Sequence, residues 1–109
     1  MKTHLIDVRS SKEYMKKRGL GLSYVYPNIN AINIEWKEFF DQSGRPNFDL
    51  KERLLSIGIG PNDRVLLLSN QGRRSAAATV SLLSLGYRKA ANVSGGYVEV
   101  LDKPATGFR

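Results

Sequence analysis

Val65-Leu66-Leu67-Leu68-Ser69-Asn70-Gln71-Gly72-Arg73-Arg74-Ser75-Ala76 is the stretch on which the fold turns. Its four leading apolar residues show no polar alternation, which describes a strand covered on both faces, the environment of a central parallel strand. A loop from Ser69 to Arg74 follows, and Ser75 to Leu85 then reads as a helix of small and apolar residues that Gly86 terminates. Small residues at the start of that helix permit close approach to a sheet. A buried strand entering a helix through a short loop is the repeating joint of an α/β domain.

Toward the N-terminus, His4-Leu5-Ile6-Asp7-Val8 reads as a second short buried strand. Ser10 or Ser11 then caps a helix that has Glu13 in its first turn and runs to about Arg18. Gly19-Leu20-Gly21 breaks it without completing the GxGxxG pattern of a dinucleotide loop, and an irregular connection with a turn at Pro27-Asn28 leads to Asn30. Ala31 to Ile34 is a further strand, and Glu35 to Phe40 has the spacing of a brief amphipathic helix with Trp36, Phe39 and Phe40 in the core. After a turn over Gln42 to Asn47, Asp49 is predicted to cap a helix to about Ile57 with Leu50, Leu54, Leu55 and Ile57 as its inner stripe and Gly58 as its C-cap. On the other side, Ala90 to Val93 is a last short strand, followed by a Gly95-Gly96 turn, a helical turn from Tyr97 to Leu101 and a loose tail from Asp102 to Arg109. The whole predicts one α/β domain over residues 1–109, with a central, mostly parallel sheet and helices on both faces. Ligands of such sheets bind beyond the carboxyl ends of the strands, where Ser69 sits.

The bulk composition agrees. A chain of 109 residues supports one hydrophobic core, and 41% hydrophobic with 25% charged residues is ordinary for a globular domain. No apolar run approaches the roughly 20 residues of a membrane span. Met1-Lys2-Thr3-His4 starts no signal peptide, so the predicted location is the cytoplasm. The chain has no cysteine, which excludes disulfides, thiolate metal sites and thiol catalysis together; no metal or cofactor is predicted. The net charge of +7 favours acidic partners or small anions. Its only basic run, Lys16-Lys17-Arg18, closes a predicted helix and has no interleaved aromatics, so nucleic acid ranks low among partners.

The loop itself decides the chemistry. A turn between a buried strand and a helix N-terminus carries several N–H groups without intrahelical partners, and these make a cradle for an anion. The candidate cradle runs through Asn70, Gln71, Gly72, Arg73 and Ser75, with Gly72 letting the backbone curl and Arg74 serving as a fixed cation or loop brace. A plain strand-helix turn with two solvated arginines fits the same spacing. The Gly-Lys-Ser/Thr ending of a nucleotide-phosphate loop is missing, and so is the G-x-S-x-G of a serine hydrolase. The one histidine, His4, opens the first strand with nothing to bring it beside Ser69 as a base.

Taken together, the hydrophobic strand, Ser69-Asn70-Gln71-Gly72-Arg73-Arg74-Ser75, Leu85-Gly86-Tyr87 and Ser94-Gly95-Gly96-Tyr97 resemble the rhodanese family, whose pattern is a strand, C-x-x-G-x-R-S/T, a helix ending in L-G-Y and a G-G turn. Leu5-Ile6-Asp7-Val8-Arg9 with Glu13-Tyr14 is similar to that family's opening D-x-R and E-Y/F signature. The resemblance implies a sulfurtransferase fold whose loop begins with a cysteine that accepts sulfane sulfur as a persulfide and passes it to a thiophilic acceptor. Here that position is Ser69. It also implies that Arg74 matches the family's loop arginine, and that the loop has the length of sulfur transfer rather than the longer one of related dual-specificity phosphatases. Asp7 and Arg9 are predicted to form a structural ion pair near the sheet end.

A cysteine thiol of pKa about 8.5 falls by several units beside a cation at a helix N-terminus, whereas a serine hydroxyl cannot follow. Ser69 is therefore predicted inert as a sulfur carrier, with the 69–75 loop still able to hold thiosulfate, sulfate or a phosphate-like anion. The family's usual G-H-I-P-G-A is replaced by Tyr26-Pro27-Asn28-Ile29-Asn30-Ala31, and the first strand starts almost at Met1, which suggests an excised or trimmed domain. Three functions stay open: a non-catalytic domain binding small anions or a protein partner; an active sulfurtransferase whose cysteine was deliberately replaced by serine; and a protein or nucleic-acid interaction module.

Overall fold

In a computed structural model of the chain, which describes residues 2–17 and 30–96, four parallel strands carry the fold. In chain order the elements are β1 (Thr3–Asp7), α1 (Ser11–Lys17), β2 (Asn30–Asn33), a 3-10 turn (Trp36–Phe39), α2 (Phe48–Ser56), β3 (Arg64–Leu68), α3 (Arg73–Ser84) and β4 (Ala90–Asn92). The sheet runs β2-β1-β3-β4, with Ile6 level with Ile32 and Leu67, Asp7 level with Leu68, and Leu67 level with Asn92. Because every strand points the same way, Asp7, Ser69 and Asn92 arrive at one edge.

Alternation along the strands divides the core. One face contributes Ile6, Val65 and Leu67 to a cluster with Phe39, Leu50, Leu54, Ala78, Leu82 and Tyr87. Leu5 and Leu68 belong to a smaller cluster with Ala31, Leu66 and Val93. The Tyr87 hydroxyl, buried in the larger cluster, donates to the Ile59 carbonyl at 2.8 Å, and that burial raises its pKa. As expected, Phe39 belongs to the core, with Trp36 and Phe40 partly buried against it, but the Trp36–Phe39 segment closes as a single 3-10 turn.

Local chemistry moves several predicted boundaries. Ser10, not Ser11, caps α1 in a reciprocal capping box: the Glu13 N–H donates to Ser10 Oγ at 3.1 Å, and the Ser10 N–H donates to Glu13 Oε1 at 3.1 Å. Asn47, not Asp49, caps α2, its side chain accepting the Asp49 N–H; Asn is as good a cap as Asp, and Asp49 falls instead where its charge meets the helix dipole. The inner stripe of α2 is also narrower than predicted. Leu50 and Leu54, one turn apart, are buried, while Leu55, about 100° further round, is 50% exposed and Ile57 is 56% exposed. Ile59, beyond the Gly58 turn, takes the buried place. α3 begins at Arg73, two residues before the predicted Ser75, because Gly72 with φ 90° is its N-cap. The predicted 19–29 connection, the helical turn from Tyr97 to Leu101 and the tail lie outside the described residues.

Candidate functional site

Position 69 is the first residue past the end of β3, and its side chain turns inward, leaving Ser69 1% exposed. Ser69 Oγ accepts the N–H of Gly72 at 3.1 Å and the N–H of Ser75 at 3.2 Å, and lies 2.9 Å from Ser75 Oγ. The Ser75 hydroxyl donates to Asn92 Oδ1, while Asn92 Nδ2 donates to the Gly72 carbonyl at 3.2 Å. The loop thus closes around its own first side chain, with β4 supplying the far anchor.

Two glycines make this curl possible. At Gly72 a Cβ would lie 3.1 Å from the Ser94 carbonyl carbon, and at Gly96, with φ 69°, it would lie 2.6 Å from the Ser69 carbonyl oxygen. The Gly95-Gly96 turn therefore packs its backbone directly on the start of the loop, a closeness only a residue without a side chain permits.

Beneath the loop lies the Asp7–Arg9 ion pair. Asp7 is fully buried and Arg9 is 1% exposed; Arg9 Nη2 reaches Asp7 Oδ2 at 2.6 Å, and Arg9 Nε sits between both carboxylate oxygens at 2.9 and 3.0 Å. Arg9 Nη1 then donates to Asn70 Oδ1 at 3.3 Å, and Asn70 Nδ2 donates to Glu13 Oε2 at 3.1 Å. Glu13 also holds Arg74 in a two-pronged contact at 2.8 and 3.2 Å. The Arg74 guanidinium and the Ser10 donors keep the Glu13 carboxyl at about 2, well below its ordinary 4.5, and the same contact raises Arg74. Arg74 is accordingly a brace between loop and α1.

Outside this frame a cavity of 280 Å³ is lined by Ser69, Asn70, Gln71, Arg73 and Arg74. Five predicted site residues are thereby gathered at one opening, while Gly72 and Ser75 direct their N–H groups to Ser69 Oγ. The N–H groups of Gln71, Arg73 and Arg74 have no hydrogen-bond acceptor among the described residues. Arg73 and Gln71 are exposed. His4 stands a strand's length away, level with Val65 at the start of β3, its Nε2 3.1 Å from Asp63 Oδ2; it is no base for Ser69. Asn92 was not singled out by its sequence, since a lone asparagine in a short strand carries no signal, and the joint hold of Glu13 on Asn70 and Arg74 was equally hidden.

The comparisons with known proteins agree with this geometry. Residues 1–103 match the Rhodanese-like domain family. Thiosulfate sulfurtransferase 18 of Arabidopsis thaliana is 34% identical over 97 residues, covering 89% of this chain. Protein HIGH ARSENIC CONTENT 1, mitochondrial, of the same plant is 29% identical over 102 residues, covering 94% of this chain. The chain spans 65% and 54% of the lengths of these two relatives. With its parallel sheet, its loop at the strand ends and a family match over nearly its whole length, this chain belongs to the rhodanese-like domain family.

Proposed function

We propose that this rhodanese-like domain carries no sulfane sulfur itself and binds small oxyanions at the mouth of the 69–75 loop. The observation that supports the reading best is the state of position 69: a buried serine hydroxyl already engaged by two loop amides, in a chain without a cysteine. A persulfide needs a sulfur nucleophile, and no base stands near Ser69 to activate its hydroxyl among the described residues. An incoming anion of the thiosulfate, sulfate or phosphate class would meet the N–H groups of Gln71, Arg73 and Arg74, which lack acceptors among the described residues, and the exposed Arg73 side chain, at a helix end whose dipole favours negative charge. The bracing by Arg9, Asn70, Glu13 and Arg74 also supports a second reading, a sulfurtransferase scaffold lacking only its cysteine, akin to the thiosulfate sulfurtransferase it resembles. Among the described residues no helix is long and apolar enough to cross a membrane. Residence in the cytoplasm is part of the proposal, although one relative is named as mitochondrial.

One experiment separates these readings. The unmodified chain and the Ser69→Cys variant are each given thiosulfate and then cyanide, and thiocyanate is measured. In the variant the outer sulfur of thiosulfate would pass to the thiolate introduced at position 69 with release of sulfite, and cyanide would remove it as thiocyanate. The unmodified chain is expected to be silent, and thiocyanate above the uncatalysed background would overturn the proposal. Turnover by the variant marks an intact scaffold, and silence marks a loop given over to binding. In parallel, titration of the unmodified chain with thiosulfate should shift the amide resonances of residues 70–74, with Arg73→Glu weakening binding about tenfold, the loss of roughly one charge-assisted hydrogen bond. Unmoved resonances at millimolar anion would dispose of the anion site.

A further inference from the structure

Asn92 lies outside the loop motif, yet it makes two contacts with opposite polarity. Its Nδ2 faces the Gly72 carbonyl at 3.2 Å, and a carbonyl only accepts, so this group of Asn92 must be the NH2. The group turned toward Ser75 is then the amide oxygen, which also only accepts. The single proton of the Ser75 hydroxyl is therefore committed to Asn92. What Ser75 Oγ presents to position 69, 2.9 Å away, is a lone pair, and Ser69 must supply the proton for that contact. Ser69 Oγ, accepting from Gly72 and Ser75 amides and donating to Ser75 Oγ, is fully satisfied as a neutral hydroxyl.

We propose that Asn92 is a positioning residue that sets the direction of the buried proton chain, Ser69 to Ser75 to Asn92, and so tunes the loop to a protonated group at position 69. The inference deepens the reading of position 69 as the nucleophile position and rests on it. An anion there would keep its two amide donors but would face the Ser75 lone pair, unless Ser75 turned its proton away from Asn92 and left a buried amide oxygen unpaired. Asn92 thereby opposes ionisation at position 69, through Ser75 and without touching the group itself. Its neighbours along the chain do not share the role: Ala91 has no polar side chain, and Val93 joins the second apolar cluster.

The test titrates a thiol in place of the hydroxyl, with no sulfur donor present, so its outcome is independent of whether the scaffold transfers sulfur. In Ser69→Cys, the thiol pKa is read from the ultraviolet absorbance of the thiolate and from the pH profile of alkylation. Adding Asn92→Ala releases the Ser75 proton toward the thiolate, and the pKa should fall by about one unit, since a hydrogen bond to the charged form favours it. If Asn92 served only to hold the loop in shape, its loss would loosen the two amides and the pKa would rise. A rise or no change on Asn92→Ala overturns the proposal. Should that variant fail to fold, Ser69→Cys with Ser75→Ala decides the matter. Removing a lone pair leaves the pKa unchanged or lower, as proposed, whereas removing a donor raises it and sinks the proposal. With all three substitutions present, the effect of Asn92→Ala should vanish, and a shift that survives the loss of Ser75 contradicts the relay.

Discussion

Replacing Arg9 by Met should remove a large part of the domain's stability. The substitution removes three side-chain hydrogen bonds to Asp7, at 2.6, 2.9 and 3.0 Å, and one to Asn70 at 3.3 Å. It leaves a fully buried carboxylate with the residue-9 backbone N–H, at 3.0 Å, as its remaining donor among the described residues. Losing one partner of a buried ion pair costs about 3–5 kcal/mol, because the other charge stays in a low-dielectric site uncompensated. A domain of this size has roughly 5–15 kcal/mol in all, so about a fifth or more of the stability is at stake. Urea unfolding followed by the fluorescence of Trp36, the sole tryptophan, should show the midpoint displaced by about 2 M or more at an unchanged slope. Changing both members together, Asp7→Leu with Arg9→Met, should recover most of the loss, since two apolar side chains leave no stranded charge. A single-variant loss below about 1 kcal/mol, or a double variant weaker than the single, would refute the view of this pair as the loop's structural footing.

Two further outcomes follow from the geometry. Gly96→Ala should destabilise by about 2–5 kcal/mol, combining left-handed backbone strain with overpacking against the Ser69 carbonyl 2.6 Å away. Gly44→Ala, with φ 83° and nothing within 4 Å, should cost only the strain, about 1–2 kcal/mol; equal thermal shifts for the two would contradict the close packing at the loop. The Glu13 carboxyl, held at about 2 against an ordinary 4.5, contributes its stability in full above pH 4.5 and loses it as pH falls toward 2. The difference in melting temperature between the unmodified chain and Glu13→Gln should therefore be largest above pH 4.5 and shrink across that window, and a difference that does not change with pH would count against the brace.

The parts of this molecule that were legible in its sequence are those where one local rule acts alone. Val65 to Leu68 announced a central strand because only burial on both faces tolerates four consecutive apolar residues there. Gly58, Gly72 and Gly86 marked turns through a backbone conformation that side chains resist. Where two rules competed, the sequence was ambiguous: Asn47 and Asp49 are both good caps, and only the path of the chain selects the first. Leu55 and Ile57 looked like core because they are apolar, yet they lie beyond the narrow stripe that α2 buries. At the site, the residues of the loop were readable from their order. What they bond to was not, because Glu13 and Asn92 reach the loop from other elements of the fold.

That dependence limits how far the loop can travel. Asn70 meets Glu13 across 57 positions of chain, Arg74 meets it across 61, and Arg9 reaches Asn70 across another 61. A peptide spanning Val65 to Ser84 would contain every letter of the 69–75 loop and none of these moorings. Grafted onto a foreign strand-helix joint, the same letters would make a different object. The functional unit here is a convergence of distant segments, assembled only when the opening residues of the chain dock beside its middle.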